Sequence, residues 1–220
     1  MELLGIVFTG GEGPQPQVIR RLIDEEVKDK LLVAADSGLA AVESAGLKPD
    51  WIIGDMDSLD DESRLDAYPP ERVIRHQPEK DYTDTELAFS LAVENDCDEM
   101  WIIGGGGGRI DHLFAIRSIF ERDIYPCRWV TDAADIYCID ADTAKNKLSL
   151  SLKKGSPVSL FPLGNGPWEA ESGGLKWPLK NLHWDRGFFG ISNAASYGDF
   201  FIEALKGKFM VILPEMLCLL

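Results

Sequence analysis

Leu31-Leu32-Val33-Ala34-Ala35-Asp36 and Trp51-Ile52-Ile53-Gly54-Asp55-Met56-Asp57 decide how this chain folds. Each stretch is a short apolar run of the kind that forms a buried strand, and each ends in carboxylates. Such strands are expected to lie parallel in a covered sheet, with Asp36, Asp55 and Asp57 at the edge where open α/β sheets bind ligands. Side chains alternate along an extended chain, so Asp55 and Asp57 are predicted to point the same way and to share one hard divalent cation. Lys80-Asp81-Tyr82-Thr83-Asp84 brings Asp81 and Asp84 towards the same edge. Carboxylates packed this closely repel unless a metal ion or protons compensate, which argues against a purely structural cluster.

The flanking sequence continues the alternation. A strand is predicted over Leu4 to Phe8, then the loop Thr9-Gly10-Gly11-Glu12-Gly13-Pro14, then helical spacing from Val18 to Val27. A short helix over Leu39 to Ala45 closes at Gly46, and Val73-Ile74 is a further short strand. Thr83-Asp84-Thr85-Glu86 fits a capping box opening a helix from Asp84 to Glu94. Met100 to Ile103 and Arg128 to Val130 read as strands around a helix over Ile110 to Glu121. Strands and helices alternating at this spacing imply a mostly parallel sheet covered on both faces.

From Lys147 onward the texture changes. Leu148, Leu150 and Leu152 alternate, and Val158 to Phe161, Gly187 to Ile191, Phe200 to Leu205 and Phe209 to Leu213 follow as short apolar runs between turns. This predicts an antiparallel β domain of about 75 residues. The polar segment Asp140 to Asn146 is the expected boundary, dividing the chain into residues 1–143 and 144–220.

With 220 residues the chain is long enough for one large or two modest domains. A net charge of −15 argues against a nucleic-acid partner, whose backbone calls for clustered Lys and Arg. It is compatible with a nucleotide whose phosphates are bridged to carboxylates by Mg²⁺, and with a cationic second substrate. Cys97, Cys127, Cys138 and Cys218 show neither a CxxC pair nor metal-ligand spacing, which suits a reducing cytosol. The start lacks a basic n-region and no apolar run approaches about 18 residues, so neither a signal peptide nor a membrane span is expected, and the tail from Met216 reads as a buried last strand.

Gly104-Gly105-Gly106-Gly107-Gly108-Arg109-Ile110-Asp111-His112 follows a strand and opens a helix. Glycines let backbone N–H groups approach an anion, the helix start supplies a positive dipole, and Arg109 adds a planar fork of donors. The run reads as a phosphate cradle, although it fits neither G-x-G-x-x-G nor a Walker pattern, and a plain flexible turn is the alternative. Asp111 reads either as a helix N-terminal residue or as part of the site, and His112 either as a packing residue or as a catalyst. In the second domain Gly174-Leu175-Lys176-Trp177 and Gly190-Ile191-Ser192-Asn193 are candidates, with packing and an ordinary turn as their alternatives.

Taken together, Ala35-Asp36-Ser37-Gly38, Pro49 to Ser58, Lys80 to Asp84 and Gly107 to His112 resemble, in order and spacing, the motifs of thiamin pyrophosphokinases. Gly174 to Trp177 and Ser192-Asn193 resemble that family's thiamin-domain signatures. The family pattern usually has glycine where this chain has Ser37, and often serine where it has Gly190. The resemblance implies a Rossmann-like α/β catalytic domain, a β-sandwich thiamin-binding domain, and a cytoplasmic homodimer with thiamin sites at the subunit interface. It also implies transfer of the pyrophosphoryl group of ATP to the hydroxyethyl group of thiamin, giving thiamin diphosphate and AMP. On this reading Asp55, Asp57 and Asp81 hold Mg²⁺ with Asp36 in support, and Asp81 is the candidate proton acceptor. Thr83, Asp84, Gly107, Gly108, Arg109, Asp111 and His112 contact ATP, while Trp177, Ser192 and Asn193 contact thiamin.

Two readings from other classes stay open on the residues alone. Asp55-Met56-Asp57 is a generic metal pair that a phosphohydrolase or a nucleotide or sugar transferase also uses. A non-catalytic thiamin or nucleotide sensor is the other.

Overall fold

The computed structural model describes residues 3–26, 29–59, 61–77, 79, 81–196 and 198–214. Lys80 and the expected last strand from Met216 lie outside them. The chain divides into two compact units. One runs as far as Ile119 and takes in Trp129–Asp132, and the other holds Phe120–Arg128 and the chain from Ala133 onward.

In the first unit the apolar runs become β1 (Leu4–Phe8), β2 (Lys30–Ala35), β3 (Trp51–Gly54), β4 (Val73–Arg75), β5 (Glu99–Ile103) and β6 (Arg128–Val130). Their order across the sheet is β6-β5-β1-β2-β3-β4. β1 runs parallel to both β2 and β5, β2 to β3, and β3 to β4. All five residues of β1 are buried, as expected of a strand covered on both faces. The helices are α1 (Pro16–Glu26), α2 (Gly38–Ser44), α3 (Asp84–Glu94) and α4 (Ile110–Ile119). α3 starts where its capping box predicts: the Glu86 N–H donates to the Thr83 hydroxyl, and the Thr83 N–H donates to the Glu86 carboxylate.

Two 3₁₀ segments, Glu62–Ala67 and Pro70–Arg72, lead into β4. The first is tied back to α2, where Glu43 accepts from the Tyr68 hydroxyl at 2.9 Å and pairs with Arg64. Because the strands are parallel, Thr9, Asp36, Asp55 and Gly104 all follow strand ends on one edge.

The second unit is antiparallel. β7 (Ala134–Asp140), β8 (Lys147–Ser151), β9 (Pro157–Leu163), β10 (Glu169–Gly173), β11 (Gly190–Ala194), β12 (Asp199–Lys206) and β13 (Lys208–Pro214) form two groups, ordered β11-β9-β13-β7 and β10-β12-β8. Both groups contribute to one core: Ile139, Val158, Leu160, Phe209 and Val211 from the first meet Leu148, Ala170, Phe200 and Ile202 from the second. The predicted fold class holds, a mixed sheet with a parallel core followed by a smaller antiparallel β domain.

Two strands were not apparent in the sequence. β7 precedes the polar 140–146 segment yet pairs along its whole length with β13. β10, Glu-Ala-Glu-Ser-Gly, buries only Ala170 fully and is held by pairing with β12.

Candidate active site

β2 and β3 deliver their carboxylates to the edge by two unusual backbone turns. Asp36 has φ +48 and Met56 has φ +65, both in the left-handed region that costs energy for residues with a Cβ. The Asp36 N–H still donates to the Ile53 carbonyl at 2.9 Å, so the turn is pinned to the neighbouring strand. Asp84 is the first residue of α3. One carboxylate oxygen from each of Asp36, Asp55 and Asp84 lies within 4.8 Å of the others.

Asp36 is only 7 % exposed, and its Oδ1 is buried with no hydrogen-bond partner. Burial pushes its carboxyl above the ordinary range; Asp84 and Asp55 push the same way, while hydrogen bonds from the Ser58 side chain and the Ser37 backbone oppose the shift. A buried carboxylate with an orphaned oxygen, clustered with two further carboxylates, fits the all-oxygen donor set of a hard divalent cation. The residues present therefore fit Mg²⁺.

The convergent set differs from the one that alternation predicts. Asp57 is exposed and accepts a hydrogen bond from the Ser58 hydroxyl, and Asp81 is exposed; neither belongs to the cluster. Met56 is the reason for the first difference. Its left-handed φ and buried side chain end the extended geometry at β3, so Asp55 and Asp57 are not related by strand alternation. Asp84, expected as an ATP contact, lies in the cluster as the residue at which the capping box starts α3.

Beside the carboxylates lies a cleft of about 210 Å³, lined by Thr9, Gly10, Gly11, Thr83, Thr85, Gly105 to Arg109, His112, Ala115 and Ile116. Two loops form it as a pair. Glu12 and Gly106 exchange backbone hydrogen bonds at 2.7 and 2.8 Å, and the Gly105 N–H donates to the Gly10 carbonyl at 2.9 Å. The approach demands glycine at 106, where a Cβ would lie 2.4 Å from Asp132 Oδ1 and 2.7 Å from the Glu12 carbonyl. Gly107, Gly108, Arg109 and His112 thus line the cleft as their motif suggests.

Arg109 is engaged within the chain: its Nε and Nη2 donate to Asp111 at 3.1 and 2.5 Å. The fork holds the Asp111 carboxyl below the usual range. The Thr83 hydroxyl donates to Glu86 as well as accepting its N–H, so capping occupies it. Thr9, Gly10, Gly11 and Thr85 line the cleft but were not candidates from sequence. The available signal was the glycine-rich turn directly after the first strand.

In the second unit Trp177 is 52 % exposed, and the Lys176 ammonium sits 4.3 Å from its ring centroid. Asn193 is buried and braces Trp177. Its Oδ1 accepts the Trp177 N–H at 3.1 Å, and its Nδ2 donates to the Trp177 carbonyl at 2.7 Å. Ser192 is exposed at φ +59, within a register shift between β11 and β9.

A parallel sheet edge that gathers carboxylates next to a glycine-walled cleft is the layout of an α/β enzyme acting on phosphate groups, of the kinase and transferase class. Residues 24–123 match the thiamin pyrophosphokinase catalytic domain, and residues 145–203 match the vitamin B1 binding domain of thiamin pyrophosphokinase. The chain belongs to the thiamin pyrophosphokinase family. It is 27 % identical over 165 residues to the thiamine pyrophosphokinase of Bacillus subtilis (strain 168), covering 70 % of this chain and 72 % of that protein. The crystal structure of a Bacillus subtilis thiamine pyrophosphokinase is similar with a TM-score of 0.76 at 25 % identity, covering 97 % of this chain and 99 % of the other. That of the Geobacillus thermodenitrificans thiamin pyrophosphokinase has a TM-score of 0.71 at 26 % identity, covering 96 % and 97 %.

Proposed function

We propose that this chain transfers the pyrophosphoryl group of ATP to the hydroxyethyl oxygen of thiamin, releasing AMP, with Asp36, Asp55 and Asp84 as the metal-binding carboxylates. The observation that carries the site is the clustering of Asp36, Asp55 and Asp84, one carboxylate oxygen of each within 4.8 Å of the others, with the Asp36 Oδ1 buried and unpartnered, beside a glycine-walled cleft. Bound there, Mg²⁺ would neutralise charge on the phosphates during transfer. The chain's own groups then position the reactants. Glycine N–H groups at 107 and 108 and the start of α4 face the polyphosphate, while those of Gly105 and Gly106 hold the two loops together, and Arg109 exchanges its Asp111 partner for a phosphate oxygen. Asp57 and Asp81, exposed at the same loops, are proposed as outer carboxylates that close on the loaded nucleotide, with Asp81 as the acceptor of the hydroxyl proton.

Residues 1–143 would serve ATP and metal, and residues 144–220 thiamin; the vitamin B1 binding match starting at residue 145 supports this division. The exposed Trp177 face suits the apolar, cationic thiamin ring, with Ser192 at its side and Asn193 holding the tryptophan in place. A cytoplasmic homodimer is the proposed working form. Exposed Phe188, Phe189 and Ile191 in the second unit support a protein contact, and among the described residues no helix is long and apolar enough to cross a membrane.

Formation of AMP from ATP, measured with and without thiamin and Mg²⁺, tests the reading. AMP that appears only with both present is the expected result. Hydrolysis independent of thiamin would favour a phosphohydrolase, and thiamin binding without turnover a sensor.

A further inference from the structure

Thr9 and Thr85 lie 76 residues apart in sequence, yet their hydroxyls meet at 2.6 Å in the wall of the cleft. Both residues are buried, at 7 and 9 % exposure. Thr9 is the first residue after β1 and is clasped by the glycine run: its N–H donates to Ile103, and a Cβ on Gly104 would lie 2.3 Å from its carbonyl oxygen. Thr85 is the second residue of α3, immediately after Asp84. The hydrogen bond therefore joins the loop that walls the anion cleft to the helix turn that carries one of the three clustered carboxylates.

Stability is a poor explanation for this pair. Two buried hydroxyls lose their water and regain one mutual hydrogen bond, and replacing both with apolar groups of the same shape is commonly neutral or stabilising. Distance is a better one. Two methyl groups in contact sit about 3.5–4.0 Å apart, so only a hydrogen bond holds these elements at 2.6 Å. A displacement on the order of 1 Å suffices to cost a positioned reaction about a hundredfold.

We infer that Thr9 and Thr85 are positioning residues that set the separation between the metal-binding carboxylates and the phosphate cleft, a role that rests on the proposed metal site. Neither needs to touch the metal. Their bond fixes where the first turn of α3, and with it Asp84, stands relative to Gly104 and Gly105.

The test uses the full chain with the variants T85V, T9V/T85V and T85S. Mn²⁺ affinity by calorimetry without nucleotide, half-saturating Mg²⁺ and ATP in AMP formation, half-saturating thiamin and Tm are measured for each. T85V and T9V/T85V are expected to weaken Mn²⁺ binding and raise the Mg²⁺ requirement about tenfold, with thiamin half-saturation within about twofold and the double variant melting no lower than the parent. T85S, which keeps the hydroxyl, is expected to stay within about twofold of the parent throughout. Should T85V fail to fold, T9A removes the same bond from the other side without adding bulk, and the same Mn²⁺ loss is expected. Parental Mn²⁺ affinity and Mg²⁺ requirement in the Val variants, or T85S as impaired as T85V, would overturn the inference. Parental Mn²⁺ affinity in Asp84→Asn would instead remove the metal site itself, and the positioning role with it.

Discussion

Asp36 and Asp84 converge over Gly54, where a Cβ would stand 3.0 Å from Asp84 Oδ1 and 3.1 Å from the Asp36 Cβ. Gly54 has φ +152, a conformation that residues with side chains rarely adopt. The last residue of β3 therefore keeps room for the carboxylates by having no side chain. Gly54→Ala is expected to weaken metal binding and to destabilise the fold by roughly 1–3 kcal/mol through backbone strain. Denaturant melts and Mn²⁺ titration check both effects, and parental values in both would remove Gly54 from the site.

Asp36 exchanges stability for charge. Its folded carboxyl holds a proton more tightly than an ordinary aspartate near 3.8, so the folded state binds more protons than the unfolded chain above that value. Stability from this group is full below pH 3.8 and is lost as pH rises through the raised folded pKa. Asp36→Asn removes the charge and suits the left-handed backbone, so the metal-free variant should gain on the order of 1 kcal/mol at neutral pH, a Tm rise of about 2–4 °C. Turnover should be lost. Melts at pH 4 and pH 7 without metal measure the effect: the advantage of the variant should grow with pH, and a constant difference would contradict the account.

The three-carboxylate cluster also ranks the aspartates. Asp55→Asn and Asp84→Asn should each cut turnover by about 10²- to 10³-fold while preserving the fold. Asp57→Asn and Asp81→Asn should retain metal affinity without nucleotide and lose it, together with turnover, in the nucleotide complex. Metal titration of the four variants, with and without a non-hydrolysable ATP analogue, separates the two groups.

Much of this site was legible because its parts are local. The apolar run ending at Asp36, the capping box of Thr83 and Glu86, and the strand-glycine-helix order of residues 99–119 depend on neighbours in sequence, and each forms where it was read. What escaped depends on tertiary pairing or on one dihedral. Met56 leaves the extended region and breaks the alternation of Asp55 and Asp57, although an isolated methionine carries no signal for φ > 0. Thr9 and Thr85 become partners only when β1 packs against α3. β10 has almost no strand pattern and exists because β12 offers an edge.

Arg109 and Asp111 form an exposed bidentate pair at the mouth of the cleft. For Arg109 to hold a phosphate this contact must open or be shared. Arg109→Lys loses the planar fork and should raise the half-saturating ATP concentration about 10- to 100-fold. Asp111→Asn leaves the guanidinium without its carboxylate competitor and should move ATP affinity the other way. Steady-state kinetics on both variants decide it. If Asp111→Asn weakens ATP as much as Arg109→Lys does, the pair acts as one unit and the competition is absent.

Trp177 and Asn193 give the last prediction its separate readouts. The tryptophan ring already accepts the Lys176 ammonium at 4.3 Å, evidence that its face is electrostatically suited to a cation. Truncation by Trp177→Ala should raise half-saturating thiamin by about tenfold, in line with roughly 0.5–2 kcal/mol for a cation over an aromatic face, and leave ATP unchanged. Asn193 is nearly buried and spends its amide on the Trp177 backbone. Asn193→Ala should therefore cost both binding and stability, the latter by about 1–3 kcal/mol, because it strands a backbone N–H and a carbonyl. Lys176→Ala frees the ring of its internal cation and should tighten thiamin binding if both cations use the same face. Calorimetric titration with thiamin across the three variants checks the set: an unchanged affinity in Trp177→Ala would exclude the ring from the thiamin site, whatever the other two variants do.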